Sequence, residues 1–422
     1  MTPRNAVFAA AAKIFFTDTP ALAPALRRRL GLPLLLLYGV GITVGAGIYV
    51  LIGAVSGHAG AYAPWAFALA AAAMALTVGS YAELATRFPV SAGEAAYVRA
   101  AMRSRLASTA VGLTTLMIGV VASATVSLGA AGYIGTFVAL PRGAIAAAVV
   151  VVLGAVAAWG ILESVLIASL FTLIEVGGLL LVIAAGVTAG VPAAAVLVTP
   201  PPLEAAALSG IGYAALLAFF AFIGFEDLAN VVEEAKVPHR DIPRAMVLTL
   251  VISTLLYLAV AAIAVAAVPP AELAAAPAPL ALVMQRLTGA SPLVISLIAI
   301  VATLNTILAQ VSMAARVIYG MARQNDLPGV FAHVHGRTGT PLLATALVVA
   351  ATVALALTVP FERLAEGTSL ATLAVFAAVN LSLLRLRARG ERSPHPHVRV
   401  PVWVPAAGFA SCLAMIAAAL LA

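Results

Sequence analysis

Two apolar stretches carry residues that could do chemistry. The first, YGVGITVGAGIYVLIG (Tyr38–Gly53), sets Gly39, Gly41, Gly45 and Gly47 inside an otherwise apolar run. The second, FFAFIGFEDLANVVEEAK (Phe219–Lys236), has Gly224 in mid-run, followed at once by Glu226 and Asp227. Glycine costs a helix interior roughly 1 kcal/mol relative to alanine, and an acidic side chain at membrane depth is expensive enough to need a protein interior or a watery cavity. An unwound stretch frees N–H and C=O groups that lipid cannot satisfy, so they must be buried in protein or bonded to a ligand. Amides at the start of a half-helix favour an anion; carbonyls at the end of one favour a cation. A zwitterionic amino acid carries both groups on one carbon, so paired breaks make an amino-acid-shaped site. The alternative for the first stretch is packing, because Gly41-x-x-x-Gly45 is a GxxxG pattern of the kind found where membrane helices touch.

The elements that must position these breaks follow from composition. The chain is 63% hydrophobic and 9% charged, with a mean hydropathy of +1.11. Its long apolar runs give eleven candidate spans, at roughly 33–57, 63–86, 107–138, 142–160, 164–189, 208–232, 245–268, 290–320, 342–360, 368–386 and 401–421. The runs are continuously apolar rather than alternating, which excludes a transmembrane β-barrel. With the N-terminus in the cytoplasm, all of the 23 lysines and arginines except Arg142, Arg286 and Arg363 fall on the inner side. The net charge of +7 is therefore a topology signal, and no nucleic-acid partner is expected. Cys412 is the only cysteine, which removes disulfide scaffolds and cysteine metal sites. The short apolar piece Ala6–Ala12 ends at Lys13 without a cleavage-like site, so no cleaved signal peptide is read.

The expected fold class is thus an all-α polytopic membrane protein of about 11 transmembrane helices, embedded in the lipid bilayer of the cell membrane. Residues 1–32 form a cytoplasmic N-terminal segment and 33–422 the transmembrane domain. Spans one and six are both interrupted by glycine and lie five spans apart, the layout of a five-plus-five inverted repeat. Its halves would cover roughly 33–189 and 208–386, with 401–421 as a final helix.

At these residues the chain resembles the amino acid–polyamine–organocation (APC) superfamily, and most of all the bacterial relatives of the cationic amino acid transporters. The resemblance rests on Gly45-Ala46-Gly47, on Phe219–Glu226 with EEAKVPHRDIP (Glu233–Pro243), on YAELATRFPVSAGEAAYV (Tyr81–Val98) and on YGMARQNDLP (Tyr319–Pro328). It implies a secondary transporter that moves amino acids by alternating access. Backbone amides around Gly45, Ala46 and Gly47 would hold the substrate carboxylate. Carbonyls of Thr43, Phe220, Ala221 and Ile223, next to Gly224, would hold the ammonium. Phe220 falls where the family places an aromatic gate, or is a plain core aromatic; Glu226 falls at a carboxylate linked to gating. Transporters of this type more often have an even number of spans, so a further helix would fit the pattern.

One departure stands out. Proton-coupled members carry a lysine in span five where this chain has Glu175. A carboxylate can donate a hydrogen bond to a free carbonyl only when protonated. Glu175 then either couples protons in place of the lysine, binds sodium with neighbouring carbonyls, or is a neutral structural acid. Other charges read as scaffolding: Glu83 and Arg87 are spaced as an i, i+4 pair, and Glu233, Glu234, Lys236, Arg240 and Asp241 form either an inner gate or a solvated run. Ser123, Ser127, Asn305 and Thr306 are candidates for the pocket wall.

Rival functions lack their motifs. No His-Glu-x-x-His pair, acidic metal motif or Gly-x-Ser-x-Gly elbow is present, so the chain is not expected to be an enzyme, and no cofactor or metal is expected. No filter-like repeat points to a channel. A polyamine or other amine is the alternative cargo, and uncoupled amino acid exchange the alternative mode; an amine without a carboxylate would leave the amides of Gly45–Gly47 unpaired.

Overall fold

The computed structural model describes residues 28–89, 93–159, 165–391, 393 and 395–421; the side chains of 165–168 and 421 are not described. Most of the expected N-terminal segment, 1–27, lies outside these residues, as do 90–92 of the Tyr81–Val98 motif.

Each expected span has a helix. Span one is α1 (Leu32–Val44) followed by α2 (Gly47–Ala59), and span two is α3 (Ala63–Arg87). A short helix α4 (Gly93–Met102) leads to α5 (Arg105–Ile134), α6 (Arg142–Trp159) and α7 (Val165–Thr188), which are spans three to five. After the one-turn α8 (Ala193–Val198) comes α9 (Ala205–Phe220), the regular part of span six, then α10 (Pro238–Ala267) as span seven. Two short helices, α11 (Pro270–Ala275) and α12 (Pro279–Thr288), precede α13 (Leu293–Arg323), α14 (Leu342–Thr358), α15 (Phe361–Ala388) and α16 (Trp403–Leu421). Among the described residues there is no strand; one isolated bridge pairs Leu30 with Ala235.

Among the described residues nine helical runs are long and apolar enough to cross a membrane, the first of which, Leu32–Arg87, contains two crossings, and Leu342–Thr358 is a shorter apolar helix. The 30 residues of α5 and of α10 reach about 45 Å at 1.5 Å per residue, more than a hydrocarbon core, which calls for tilt. The spans divide by burial. The most apolar window of Leu32–Arg87 is 78% buried, whereas those of α6 and α16 are only 28% and 17% buried. Spans one and two are therefore the centre of the bundle, while α6 and α16 turn most of their Leu, Val and Ala surface outward, as helices against lipid do.

The packing centres on span one. Helix α1 lies against α7 and α10, and α9 against α2 and α3. Glycines permit these approaches: a Cβ at Gly39 would meet Thr249 of α10 at 2.5 Å and Leu228 at 2.9 Å, and one at Gly41 would run into Thr172 of α7. Helix α3 also packs on α10, α5 on α13, and α6 on α14.

Candidate functional site

Both breaks form, and they differ in length. Helix α1 ends at Val44 and α2 restarts at Gly47, so only Gly45 and Ala46 interrupt span one. Span six stops being α-helical at Phe220 and does not recover. Residues 221–224 are turn, and Phe225–Ala229 and Val232–Glu234 are 3-10 turns. Gly224 sits at φ +133°, a conformation that a side chain rarely tolerates, and Asp227 and Asn230 beyond it are poor helix formers.

The breaks touch each other. A Cβ on Gly47 would lie 2.6 Å from the Cα of Ala221, and one on Gly224 would lie 2.7 Å from Ile42 Cγ2 and 2.9 Å from its carbonyl carbon. Both glycines are therefore needed for backbone-to-backbone approach. Three aromatic residues fix the second break from behind. Phe219 and Phe225 stack edge-on against Phe376, Phe225 also against Tyr81, and Phe222 against Tyr257. Phe220 belongs to none of these pairs; it is buried at the end of the helix.

The freed peptide groups can be followed one by one. In the first break, the Gly45 amide donates to the Gly41 carbonyl at 2.9 Å. The Ala46 amide donates to Thr306 Oγ1 of α13 at 3.2 Å. That leaves Gly47, Ile48 and Tyr49 as the first-turn amides of α2, which have no intrahelical acceptor. In the second break, the Gly224 amide donates to Glu226 Oε2 at 2.8 Å, and the Ile223 amide to the Phe220 carbonyl at 3.2 Å. Between the breaks stands Tyr257 of α10, fully buried, its hydroxyl 2.7 Å from both the Thr43 and the Ala221 carbonyl oxygens. A phenol has one proton, so it donates to one carbonyl at a time and each oxygen keeps a lone pair.

Glu175 lies one helix away, on α7, and is fully buried. Its Oε1 accepts from Asn305 Nδ2 at 3.2 Å, and its backbone carbonyl accepts from the Tyr49 hydroxyl at 2.6 Å. The Tyr49 carbonyl in turn accepts from Tyr133 at 2.7 Å. Glu175 is thus wired to α2 through Tyr49 and to α13 through Asn305, beside Thr306. Ser123 and Ser127 are buried but donate to their own helix, to Gly119 and Ala124 carbonyls.

Comparison with known proteins gives the family. Residues 30–422 match the amino acid permease family model. The chain belongs to the amino acid permease family, within the APC superfamily. It is 29% identical over 420 residues to the branched-chain amino acid permease BcaP of Bacillus subtilis, covering 93% of this chain and 88% of that protein. It is 27% identical over 394 residues to the methylthioribose transporter of the same organism, covering 88% and 82%. It is 30% identical over 386 residues to the vacuolar cationic amino acid transporter 2 of Arabidopsis thaliana, covering 86% of this chain and 60% of that one. The chain is a multi-pass membrane transporter of amino acids or related substrates.

In this permease the motif residues outside the breaks are clamps. Glu83 is fully buried and takes Arg87 at 2.7 Å, Arg387, and the Val400 amide at 2.9 Å. Asp326 and the Gln324 carbonyl hold Arg105 at the start of α5 at 2.7 and 2.8 Å. The charged run after span six contains the Arg240–Asp241 pair at 2.9 Å. Its backbone pairs with the entry to span one, where Leu30 donates to Glu234 at 3.0 Å and accepts from Lys236 at 2.8 Å. Glu94 of α4 accepts from Tyr81 at 3.0 Å; loss of water around its carboxyl holds it above the ordinary carboxylate range. Tyr257 escaped the sequence reading. Its only signal is a lone tyrosine in an apolar span, STLLYLAV.

Proposed function

We propose that the permease carries amino acids across the cell membrane by alternating access, linked to protons through Glu175, with its N-terminus in the cytoplasm. The observation that carries this reading is the meeting of two broken spans, with Gly47 against Ala221 and Gly224 against Ile42. The substrate carboxylate takes the amides at the start of α2, at Gly47 with Ala46 and Gly45 beside it. The Gly45 amide is already bonded within α1 and the Ala46 amide to Thr306, so Gly47 is the principal donor of the three. The ammonium takes the Thr43 and Ala221 carbonyls on the lone pairs that Tyr257 leaves, with Phe220 and Ile223 carbonyls adjoining. Phe220 closes over the substrate, and Glu226, by holding or releasing the Gly224 amide, sets the shape of the second break.

The packing of α3 on α10, α5 on α13 and α6 on α14 joins each of spans two to four with the span five places later. That is the relation expected of inverted repeats covering 33–189 and 208–386. Glu175 suits coupling because its carboxyl takes Asn305 of α13, next to the Thr306 that meets the Ala46 amide, while its backbone carbonyl holds Tyr49 of α2. Protonation there changes what the carboxyl can offer Asn305.

A second reading is favoured by one relative, whose printed cargo, methylthioribose, is not an amino acid. On that reading the same fold carries an organic amine or other small polar solute. Counterflow decides between carriers and pores, and between cargoes. Proteoliposomes loaded with an unlabelled amino acid should transiently concentrate the labelled one, saturably, and Glu175→Gln should flatten the pH dependence. Non-saturable flux would overturn the carrier reading. An unchanged pH profile in Glu175→Gln would remove Glu175 from coupling.

A further inference from the structure

A cavity of about 590 Å³ lies away from the breaks, between the ends of α6, α13 and α14 and the loop before α14. Three polar side chains of α13 line it: Ser312, Arg316 and Tyr319. Their i, i+4, i+7 spacing puts them on one face of the helix. Among the described residues none of the three has a hydrogen-bond or ion-pair partner, although each is a donor. Arg316, two turns before the end of this 31-residue helix, is exposed and has no acid to pair with, so its charge is left for an anion at the interface.

The loop that walls the cavity is fastened in place. Thr340 Oγ1 donates to the Ala158 carbonyl at the end of α6 at 2.7 Å, and accepts from Thr338 Oγ1 at 2.7 Å. Those hydroxyl protons are spent on structure, leaving the α13 donors for a ligand. Thr345, also in the wall, spends its hydroxyl proton on the Pro341 carbonyl at 3.2 Å, and the side towards α6 is the apolar Ala157, on a helix with only 28% of its apolar window buried. Trp159, at the same end of α6, is 78% exposed, where aromatic residues anchor a helix at headgroup level.

We propose that this cavity seats the phosphate headgroup of an anionic phospholipid. Arg316 supplies the charge-assisted, two-pronged contact that guanidinium makes with phosphate, Ser312 and Tyr319 add hydroxyl donors, and the α6 wall passes the acyl chains to the bilayer. Basic pockets between transmembrane helices on the cytoplasmic side take such headgroups. The leaflet follows from the orientation proposed above, but the chemistry does not depend on it.

Native mass spectrometry of the protein in detergent tests this without any transport assay, so its failure leaves the carrier reading intact. Phosphatidylglycerol should be retained at one molecule per chain, and phosphatidylcholine should not. Arg316→Gln should weaken retention about tenfold, the size expected for losing a charged hydrogen-bonded contact. Ala157→Leu, which keeps the charge but fills the cavity, should do the same, while Arg323→Gln, outside the cavity on the same helix, should bind as the parent does. The proposal is overturned if Arg316→Gln retains the lipid normally or if Arg323→Gln weakens it equally. It is also overturned if inorganic phosphate binds as tightly as the lipid, which would make the cavity a soluble-anion site.

Discussion

The two breaks solve the same problem in opposite ways. Span one is interrupted for two residues and restarts as a helix; its stray amide at Ala46 is met by Thr306, which is 260 positions away in sequence. Span six is interrupted for good, and its stray amide at Gly224 is met by Glu226, two residues on. The second break is thus satisfied largely by its own segment and by an aromatic bed beneath it, whereas the first depends on a distant helix. Tyr257 reaches a carbonyl of each. A short break with remote partners changes when those helices move, and a long self-satisfied one can serve as the fixed counterpart. On the mechanism proposed above, that division would make Thr306, with the Asn305–Glu175 pair beside it, the residues through which bundle motion reaches the first break.

The largest effect that would break this comparison belongs to the glycines. Gly224→Ala combines a φ of +133° with a clash against the Ile42 backbone at 2.9 Å. It should lower stability by about 3 kcal/mol and abolish uptake. Gly47→Ala meets only the clash with Ala221, so it should abolish uptake with a smaller fall in melting temperature. Equal melting temperatures for the two would remove the distinction. Next comes Tyr257→Phe, which deletes the bridge and leaves two buried carbonyls without it, a loss of roughly 1–3 kcal/mol. Uptake should fall about tenfold or more, read as initial rates in proteoliposomes; parental rates would show that the bridge is incidental.

Thr306→Val should cost about 1 kcal/mol through the uncapped Ala46 amide. Its effect should appear in the affinity for substrate, measured by counterflow at varied concentration, because the freed amide lies beside the carboxylate position. The smallest effect is expected at Glu94, which borders the second break through Tyr81 and the turn at Asn230. Its carboxyl is held above its unfolded value, so the folded form binds the proton more tightly, and stability should decline as pH rises from the unfolded carboxylate pKa through the raised one. Glu94→Gln keeps an acceptor for Tyr81 and should flatten that slope in melting curves across the mildly acidic range.

Much of this was legible in the sequence. Hydropathy located all eleven spans because apolar length is a property of the local chain, and the glycines marked both breaks because no other residue fits there. Gly39 and Gly41 serve packing against Thr249 and Thr172, while Gly45 falls between the two helices, so the Gly41-x-x-x-Gly45 pair of the packing reading is split between the two roles. Asn305 and Thr306 were expected near the pocket, and they contact Glu175 and Ala46. The irregular second half of span six was not foreseen as such, since its apolar length alone suggests a helix. Tyr257 could not be found locally, because its role exists only once α10 is laid across two segments that are far apart in sequence. Nor could the sequence tell that the Gly45 amide would be taken by Gly41, a matter of where the helix lets go within two residues.

The central claim is that bare peptide groups at the two breaks grip both ends of a small zwitterion. After a melting-temperature screen of the purified permease has identified a stabilising amino acid, the same measurement should be repeated with its methyl ester and its N-acetyl derivative. The free amino acid should raise the melting temperature and both blocked forms should fail to do so. Equal stabilisation by either blocked form would contradict the account.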